Sequence, residues 1–459
     1  MKRWQTALIL LAALALRAPQ LIAPLWYDEA FTWAATSRGF SDWIMAISND
    51  VHPVGFYVLE RVAFALSSAP IVLRMIPLAF GLLAVWLAAK VAEALEAPPS
   101  AQALAALAMA AMPQMVYYSA EVRMYSMLTA FYLLGIWCVL ARRWWWFPLT
   151  LLALVYTHNF GWIYAATLGA LALWSARGHW WRDIICPGLL PLPLYLPALA
   201  LLREQLVNTG PYWANLSLYG VAITPALWLA GAPLSRPLLG ALLLVGSMAL
   251  VMAAVWRGVL HRRYTLLWLI GAPLAIALAL SPFKNIWLNR AFIGSGAALA
   301  VLMAVEFPPA RFATLALPLL LVGALTDETR PAIVERYATP AIAAYIRQQL
   351  QPGDAVLCLG SGPWMELQPY RLPVAIAVDE SGEWLSRGGL SNATRLALGA
   401  RPLAGQPIRI WIVEPIIPGA FYTPAVPAGA DLVAAYVSPE QGYKSRLYLL
   451  EAPHVYTQR

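Results

Sequence analysis

The feature that most constrains this chain is a succession of apolar stretches, each near the length of a bilayer crossing. A helix spans the hydrocarbon core in about 20 residues, and within it every backbone polar group must be bonded internally. Eleven stretches read as such helices: 5–23, 71–95, 101–118, 126–141, 145–158, 160–176, 184–202, 237–256, 264–282, 291–306 and 311–326. The first has the look of a secretory signal, but Arg17-Ala18-Pro19 is a poor cleavage site, so it reads as an uncleaved span. Composition decides against a soluble core. Of 459 residues, 61% are hydrophobic and 12% charged, about half the usual charged share and more apolar surface than a soluble chain can bury.

Charge is divided unevenly. Residues 1–330 hold 21 Lys/Arg against 13 Asp/Glu, while 331–459 hold 10 of each, so the net +8 belongs to the apolar part. Basic clusters at Lys2-Arg3, Arg142-Arg143, Arg177 to Arg182, Arg257 to Arg263 and Arg311 fall on one side of the eleven spans. The positive-inside bias makes that side, and the N-terminus, cytoplasmic. An odd span count puts the tail outside; the Ala-, Leu-, Trp- and Pro-rich composition points to the periplasm and a bacterial inner membrane. Arg38, Arg61, Arg74, Arg123, Lys284 and Arg290 fall on the outer side and read as functional or interfacial exceptions. No solvated basic face for nucleic acid is visible. Cys138, Cys186 and Cys358 are too scattered for a disulfide framework or metal spacing.

The expected architecture is a 1–330 transmembrane domain and a 331–459 soluble α/β domain. In the tail, a helical pattern over 340–350 ends at Pro352-Gly353, and apolar runs follow at 355–359, 374–378, 408–413, 432–437 and 446–450, punctuated by Gly and Pro. Gly360-Ser361-Gly362 reads as a turn, being too short for a nucleotide-binding fingerprint. Two outer segments are long: 24–70, whose short apolar pieces suit interfacial helices, and 203–236, with Pro211-Tyr212-Trp213 and one short apolar piece.

Four polar segments meet on the outer face. Asp28-Glu29 follows the first span; desolvation beside apolar rings raises a carboxylate's pKa and improves it as a base, unless a cation holds it ionised. Helix-start acids in a solvated loop are the plain alternative. Glu121 and Arg123, in Tyr117 to Tyr125, are too close in sequence to share a helix face; an interfacial ion pair is the alternative. His52, in Asp50-Val51-His52-Pro53, and His158, in Thr157-His158-Asn159, lie at the same level. With Asp28 and Glu121 they permit a divalent cation, although no close ligand spacing shows one. Lys284 and Arg290 are placed to hold a lipid phosphate, or simply to snorkel. Ionisable groups at a membrane face mark a site by default. An acidic base, cations for a phosphate and lipid access suit group transfer from a phospholipid-type donor. A transporter or flippase, or a lipid-diphosphate-dependent ligase, is the alternative; no paired broken-helix repeat is evident.

The order of these motifs resembles the polytopic GT-C glycosyltransferases of the protein O-mannosyltransferase superfamily. It runs from Asp28-Glu29 through His52-Pro53, Glu121-x-Arg123-x-Tyr125 and Thr157-His158-Asn159 to Asn289-Arg290. The bacterial family 39, dolichyl-phosphate-mannose-protein mannosyltransferase-like branch is the nearest in pattern, the lipid A aminoarabinose transferases more distant; the likeness covers about 1–305. It implies a polyprenyl-phosphate-linked sugar donor, a hydroxyl acceptor (glycan, lipid or protein) and inverting transfer on the outer face. By the same resemblance Asp28 is the base and Glu29 positions the acceptor or that base. Glu121 faces sugar or acceptor, while His52, Arg123, Tyr125, Lys284 and Arg290 lie toward the donor's phosphate or sugar. No cofactor is fixed; a divalent metal is an option. His52-Pro53-Val54 departs from the family's His-Pro-Pro, and the acceptor-binding repeats of eukaryotic members are absent.

Overall fold

The computed structural model describes residues 1–176, 178–179, 181–189, 191–208, 216–232, 235–327, 338–379, 396–399, 407, 409–416, 426, 429–437 and 444–451. Arg177, Pro211-Tyr212-Trp213 and the expected boundary at 330 lie outside them. The helices of the N-terminal two thirds are α1 (Arg3–Leu21), α2 (Tyr27–Thr36), α3 (Phe40–Ser48), α4 (Val54–Leu66), α5 (Pro70–Ala94), α6 (Pro99–Ala111), α7 (Pro113–Tyr118), α8 (Tyr125–Leu140), α9 (Phe147–Thr157), α10 (Phe160–Ser175), α11 (Cys186–Leu189), α12 (Leu192–Asn208) and α13 (Leu218–Ala230). After them come α14 (Pro237–Leu260), α15 (Tyr264–Leu280), α16 (Ile293–Glu306), α17 (Pro309–Arg311) and α18 (Leu317–Thr326). Among the described residues, four runs are long and apolar enough by themselves to cross a membrane: α1, α5, α14 and the Pro309–Thr326 stretch. Shorter apolar helices, including α6, α8, α9, α10, α13 and α15, pack with them.

Three expectations change. The stretch 184–202 is not one straight helix, because Trp181–Leu189 and Leu192–Gln205 meet at 70°. The stretch 101–118 divides at Met112, where Pro113 starts α7 and lacks the N–H that would continue α6. The buried Arg17 guanidinium serves this break from α1, donating to the Ala110 carbonyl at 3.0 Å and to its own Ala13 carbonyl at 2.8 Å. Finally, the short apolar piece in 203–236 is a 13-residue helix, α13, packed on α14 and α18.

α16 is the most enclosed helix, buried from Ile293 through Ala304. Its small residues let neighbours approach: a Cβ on Gly294 would stand 2.9 Å from the rings of Tyr132 and Tyr164. Those tyrosines satisfy their own hydroxyls on the Leu269 and Ala291 carbonyls, at 2.7 and 2.9 Å.

The tail adds α19 (Thr339–Gln349), β1 (Asp354–Leu359), α20 (Ser361–Leu367), β2 (Ile376–Asp379), β3 (Arg409–Ile416), β4 (Asp431–Val437) and β5 (Lys444–Glu451). Each expected apolar run falls on a strand. Gly360, at φ +110°, makes the turn after β1, and Ser361-Gly362 belong to the helix that follows it. The sheet is mixed, in the order β2-β1-β3-β5-β4, with β1 parallel to β2 and β3 and the β3–β5 and β5–β4 pairs antiparallel. Side chains alternate across it: Val356 and Cys358 face one core, Leu357 and Leu359 the other. The first core is shared. Trp364, Met365 and Trp411 pack in one cluster with Phe31, Trp33 and Phe56 of α2 and α4. Arg38 donates to Gln368 at 2.7 Å and Arg371 to Ser68 at 3.1 Å. The tail thus keeps one small core of its own on the Leu357 face and shares the other, through which it packs against the segment that carries Asp28.

Candidate functional site

The site begins where the chain turns out of α1 and starts α2. Asp28 and Glu29 occupy the first turn, where carboxylates complement the helix dipole. Neighbouring residues on a helix point about 100° apart, and these two meet different fates. Glu29 is fully buried and paired with Arg74 of α5, which reaches its two oxygens at 2.9 and 2.6 Å. Glu29 also accepts the Val122 N–H at 2.9 Å, while Arg74 caps the Leu21, Ala23 and Pro24 carbonyls. Both carboxylate oxygens are thus in use. Glu29 thereby ties α2 to α5 and to the 119–124 turn.

Asp28 keeps 17% of its side chain exposed and faces two guanidinium groups, Arg290 at 3.4 Å and Arg123 at 4.0 Å. Arg290 enters from the single 3-10 turn Asn289–Phe292 that precedes α16 and lies over the Tyr125 ring at 5.5 Å. Arg123 lies in the turn that Glu29 fixes. It is 4% exposed and contacts the Tyr57 hydroxyl at 3.4 Å and the His52 ring at 3.2 Å. Asp50 ties these partners together, accepting from Tyr57 at 2.6 Å and lying 3.1 Å from His52 Nδ1. Gln205 of α12 holds the loop through the Asp50 and His52 carbonyls, at 3.1 and 2.9 Å. Burial and then Arg123 push His52 below its ordinary pKa. Burial alone would raise Asp50, but His52 and Arg123 hold it well below the usual carboxylate range. Sequence reading singled out His52 from this motif and passed over Asp50 and Tyr57, whose role is to fix it.

Glu121 is completely buried, accepts the Tyr117 hydroxyl at 3.3 Å on one oxygen, and has no partner for the other among the described residues. Burial, then Glu29 and Asp28, push its carboxyl up to about 8. Desolvation thus raises a carboxyl at this face at Glu121. His158 stacks edge-on to His52, ring centroids 5.1 Å apart, and lies 5.6 Å from Tyr125. Asn159 ties its loop to the Val51 carbonyl at 2.8 Å.

These placements bear on the metal expected from Asp28, Glu121 and His158. Among the described residues no three His, Cys, Asp or Glu side chains form a group that could hold an ion. Asp28 faces the Arg290 and Arg123 guanidinium groups, and His158 spends the lone pair of Nδ1 on the Phe160 N–H at 3.0 Å. This donor set does not fit a divalent cation. It fits an anion.

A cavity of about 390 Å³ opens beside the cluster, lined by Gln114, Tyr117 and Tyr118 of α7, Leu227 of α13, Trp287 and Arg290. Thr224 of α13 fixes its rim, donating to Asn289 at 2.7 Å and accepting the Trp287 indole N–H at 3.3 Å. In sequence this wall reads only as a short apolar piece of the 203–236 segment, with nothing that ties it to the site. Lys284 does not line the cavity, in contrast to Arg290.

No protein-family model and no curated protein sequence matches the chain. Solved structures do. The crystal structure of ArnT from Cupriavidus metallidurans in the apo state superposes with a TM-score of 0.59 at 13% identity, covering 96% of this chain and 97% of that one. The structure of the same protein bound to undecaprenyl phosphate gives 0.55 at 13% identity, covering 100% of both. At that identity the likeness speaks to architecture: this chain has the fold of ArnT.

Proposed function

We propose that the protein is a membrane glycosyltransferase that moves a sugar from a polyprenyl-phosphate-linked donor to a hydroxyl of a glycan, lipid or protein acceptor. The observation that carries this reading is the double position of Arg290. Its guanidinium lines the cavity and also lies 3.4 Å from Asp28, so a phosphate-binding cation adjoins a carboxylate base. The ArnT structure with undecaprenyl phosphate supports a lipid phosphate as the ligand class. The bilayer supplies the donor, and the site faces the periplasmic side of a bacterial inner membrane, with the N-terminus cytoplasmic and the tail outside.

In the proposed reaction the acceptor oxygen attacks the anomeric carbon while Asp28 takes its proton. The bond from that carbon to the phosphate oxygen breaks, and polyprenyl phosphate leaves with its charge met by Arg290 and Arg123. A phosphate leaving group needs no strong general acid. One displacement inverts the anomeric centre. Glu121, protonated, donates to a sugar or acceptor oxygen through its unpartnered oxygen. The test mixes purified, detergent-solubilised protein with polyprenyl-phosphate sugars and membrane extract and measures released polyprenyl phosphate. Asp28→Asn lowers release by about 10²–10⁴-fold while melting as the wild type does, and chelator changes neither rate. A nearly normal rate in Asp28→Asn sinks the assignment. Release of a lipid diphosphate favours a ligase, and lipid translocation without sugar transfer favours a transporter.

A further inference from the structure

Two buried donors in this cluster, with ring centroids 5.6 Å apart, have no partner among the described residues. His158, 4% exposed, leaves Nε2 without one, and Tyr125, fully buried, leaves its hydroxyl without one, among the described residues. Buried polar groups in folded proteins are overwhelmingly hydrogen-bonded, so each exception needs a reason. For His158 the proton can be assigned. Nδ1 receives the Phe160 N–H at 3.0 Å and must offer its lone pair. A neutral imidazole carries one ring proton, which then sits on Nε2 as a fixed donor.

A neutral donor is a poor choice for a phosphate, and this cluster already supplies Arg290 and Arg123 for one. It is a good choice for an uncharged oxygen. Tyr125 can donate and accept, as a hydroxyl partner requires. Its ring is held in place by Arg290 on one side and by Tyr118 at 4.7 Å. Resting on the lipid-phosphate-sugar reading above, we infer that His158 Nε2 and the Tyr125 hydroxyl form the subsite for the donor's sugar, bonding its hydroxyl or ring oxygens. The two residues thereby distinguish a glycosylated lipid phosphate from the bare lipid phosphate, and a sugar lacking the matching hydroxyl leaves a buried donor unpaired, which sites of this kind reject strongly.

The test measures binding of polyprenyl phosphate and of its hexose conjugate to the full-length protein in lipid nanodiscs. His158→Asn keeps a carbonyl oxygen for the Phe160 N–H and withdraws the outer donor. His158→Gln restores a donor at the reach of Nε2. Tyr125→Phe removes the hydroxyl and leaves the ring under Arg290. The expected result is about tenfold weaker binding of the conjugate by His158→Asn and Tyr125→Phe, with unconjugated polyprenyl phosphate bound within about twofold of wild type, and partial recovery in His158→Gln. Equal weakening toward both lipids overturns the inference by making these phosphate contacts. Wild-type affinity for the conjugate in both variants overturns it by reducing His158 to a cap for α10. Wild-type protein that binds neither lipid overturns the functional reading itself, a result the variants cannot produce.

Discussion

α16 connects two buried charge clusters that differ in one respect. At its far end Glu306, with 1% of its side chain exposed, accepts Arg263 at 2.8 Å and pairs with His261, and its carbonyl accepts Arg257 at 2.7 Å. The basic group read from sequence as a cytoplasmic topology signal thus closes the α14–α15 hairpin onto α16. At the near end, about 24 Å away at 1.5 Å per residue, Arg290 Nε, Arg123 Nε, Tyr125 Oη, Glu121 Oε2 and His158 Nε2 are all buried without a hydrogen-bond partner among the described residues. Burial of charge does not by itself mark a site. A finished network holds helices together, whereas an unfinished one awaits a ligand.

The sharpest way to break that comparison is to remove one arginine from each end. Arg290→Gln lowers turnover by about 10²–10³-fold, the usual cost of deleting a donor aimed at developing charge, with little change in melting. Arg263→Gln leaves turnover per folded molecule intact and lowers the melting temperature slightly, because Arg263 is 39% exposed and its pair is screened. Polyprenyl phosphate release and tryptophan-fluorescence melting, read on both proteins, decide it. Equal losses of turnover erase the distinction between the ends.

A second test lies within the near end. Glu29 resembles Glu306 more than its neighbour Asp28: both of its oxygens are engaged and its partner Arg74 is also fully buried. Glu29→Gln strands the Arg74 charge and costs about 3–5 kcal/mol, read as a large drop in melting temperature. Asp28→Asn causes no such drop. If the two substitutions destabilise alike, the division between lock and site is wrong.

This contrast also explains what sequence could convey. Periodicity located the tail strands because β1 and β3 are short apolar runs between Gly and Pro, a local signal. The Asp28-Glu29, Glu121 and Arg290 segments stood out because charge at a membrane face is costly. Which of two adjacent acids stays open was not legible, since the answer depends on Arg74, 45 residues away, and on the Val122 N–H, 93 away. Arg74 looked only like an exception to the charge rule. α13 reads in sequence only as a short apolar piece, although it forms a cavity wall. The shared core of α2, α4 and the sheet joins segments more than 300 residues apart, as the Arg38–Gln368 bond shows.

A further expected effect is a pH dependence of stability carried by Glu121. Glu121 has its carboxyl raised from 4.5 to about 8, by burial first and then by Glu29 and Asp28. Below pH 4.5 the folded and unfolded chains both hold this proton, so it contributes nothing to the pH slope. Between 4.5 and 8 the unfolded chain has released it and the folded chain has not. The unfolded state then binds fewer protons, and stability falls as pH rises, flattening above about 8 once both states are ionised. Glu121→Gln cannot titrate and keeps an amide in the same space. Relative to wild type it gains about a few degrees in melting temperature as pH climbs through that window. The comparison is made in matched buffers so that other groups cancel in the difference. A wild-type-minus-variant difference that stays flat with pH shows that the unpartnered oxygen of Glu121 is already ionised and screened. In that case the near end contains one acid more, and one neutral donor fewer, than the geometry implies.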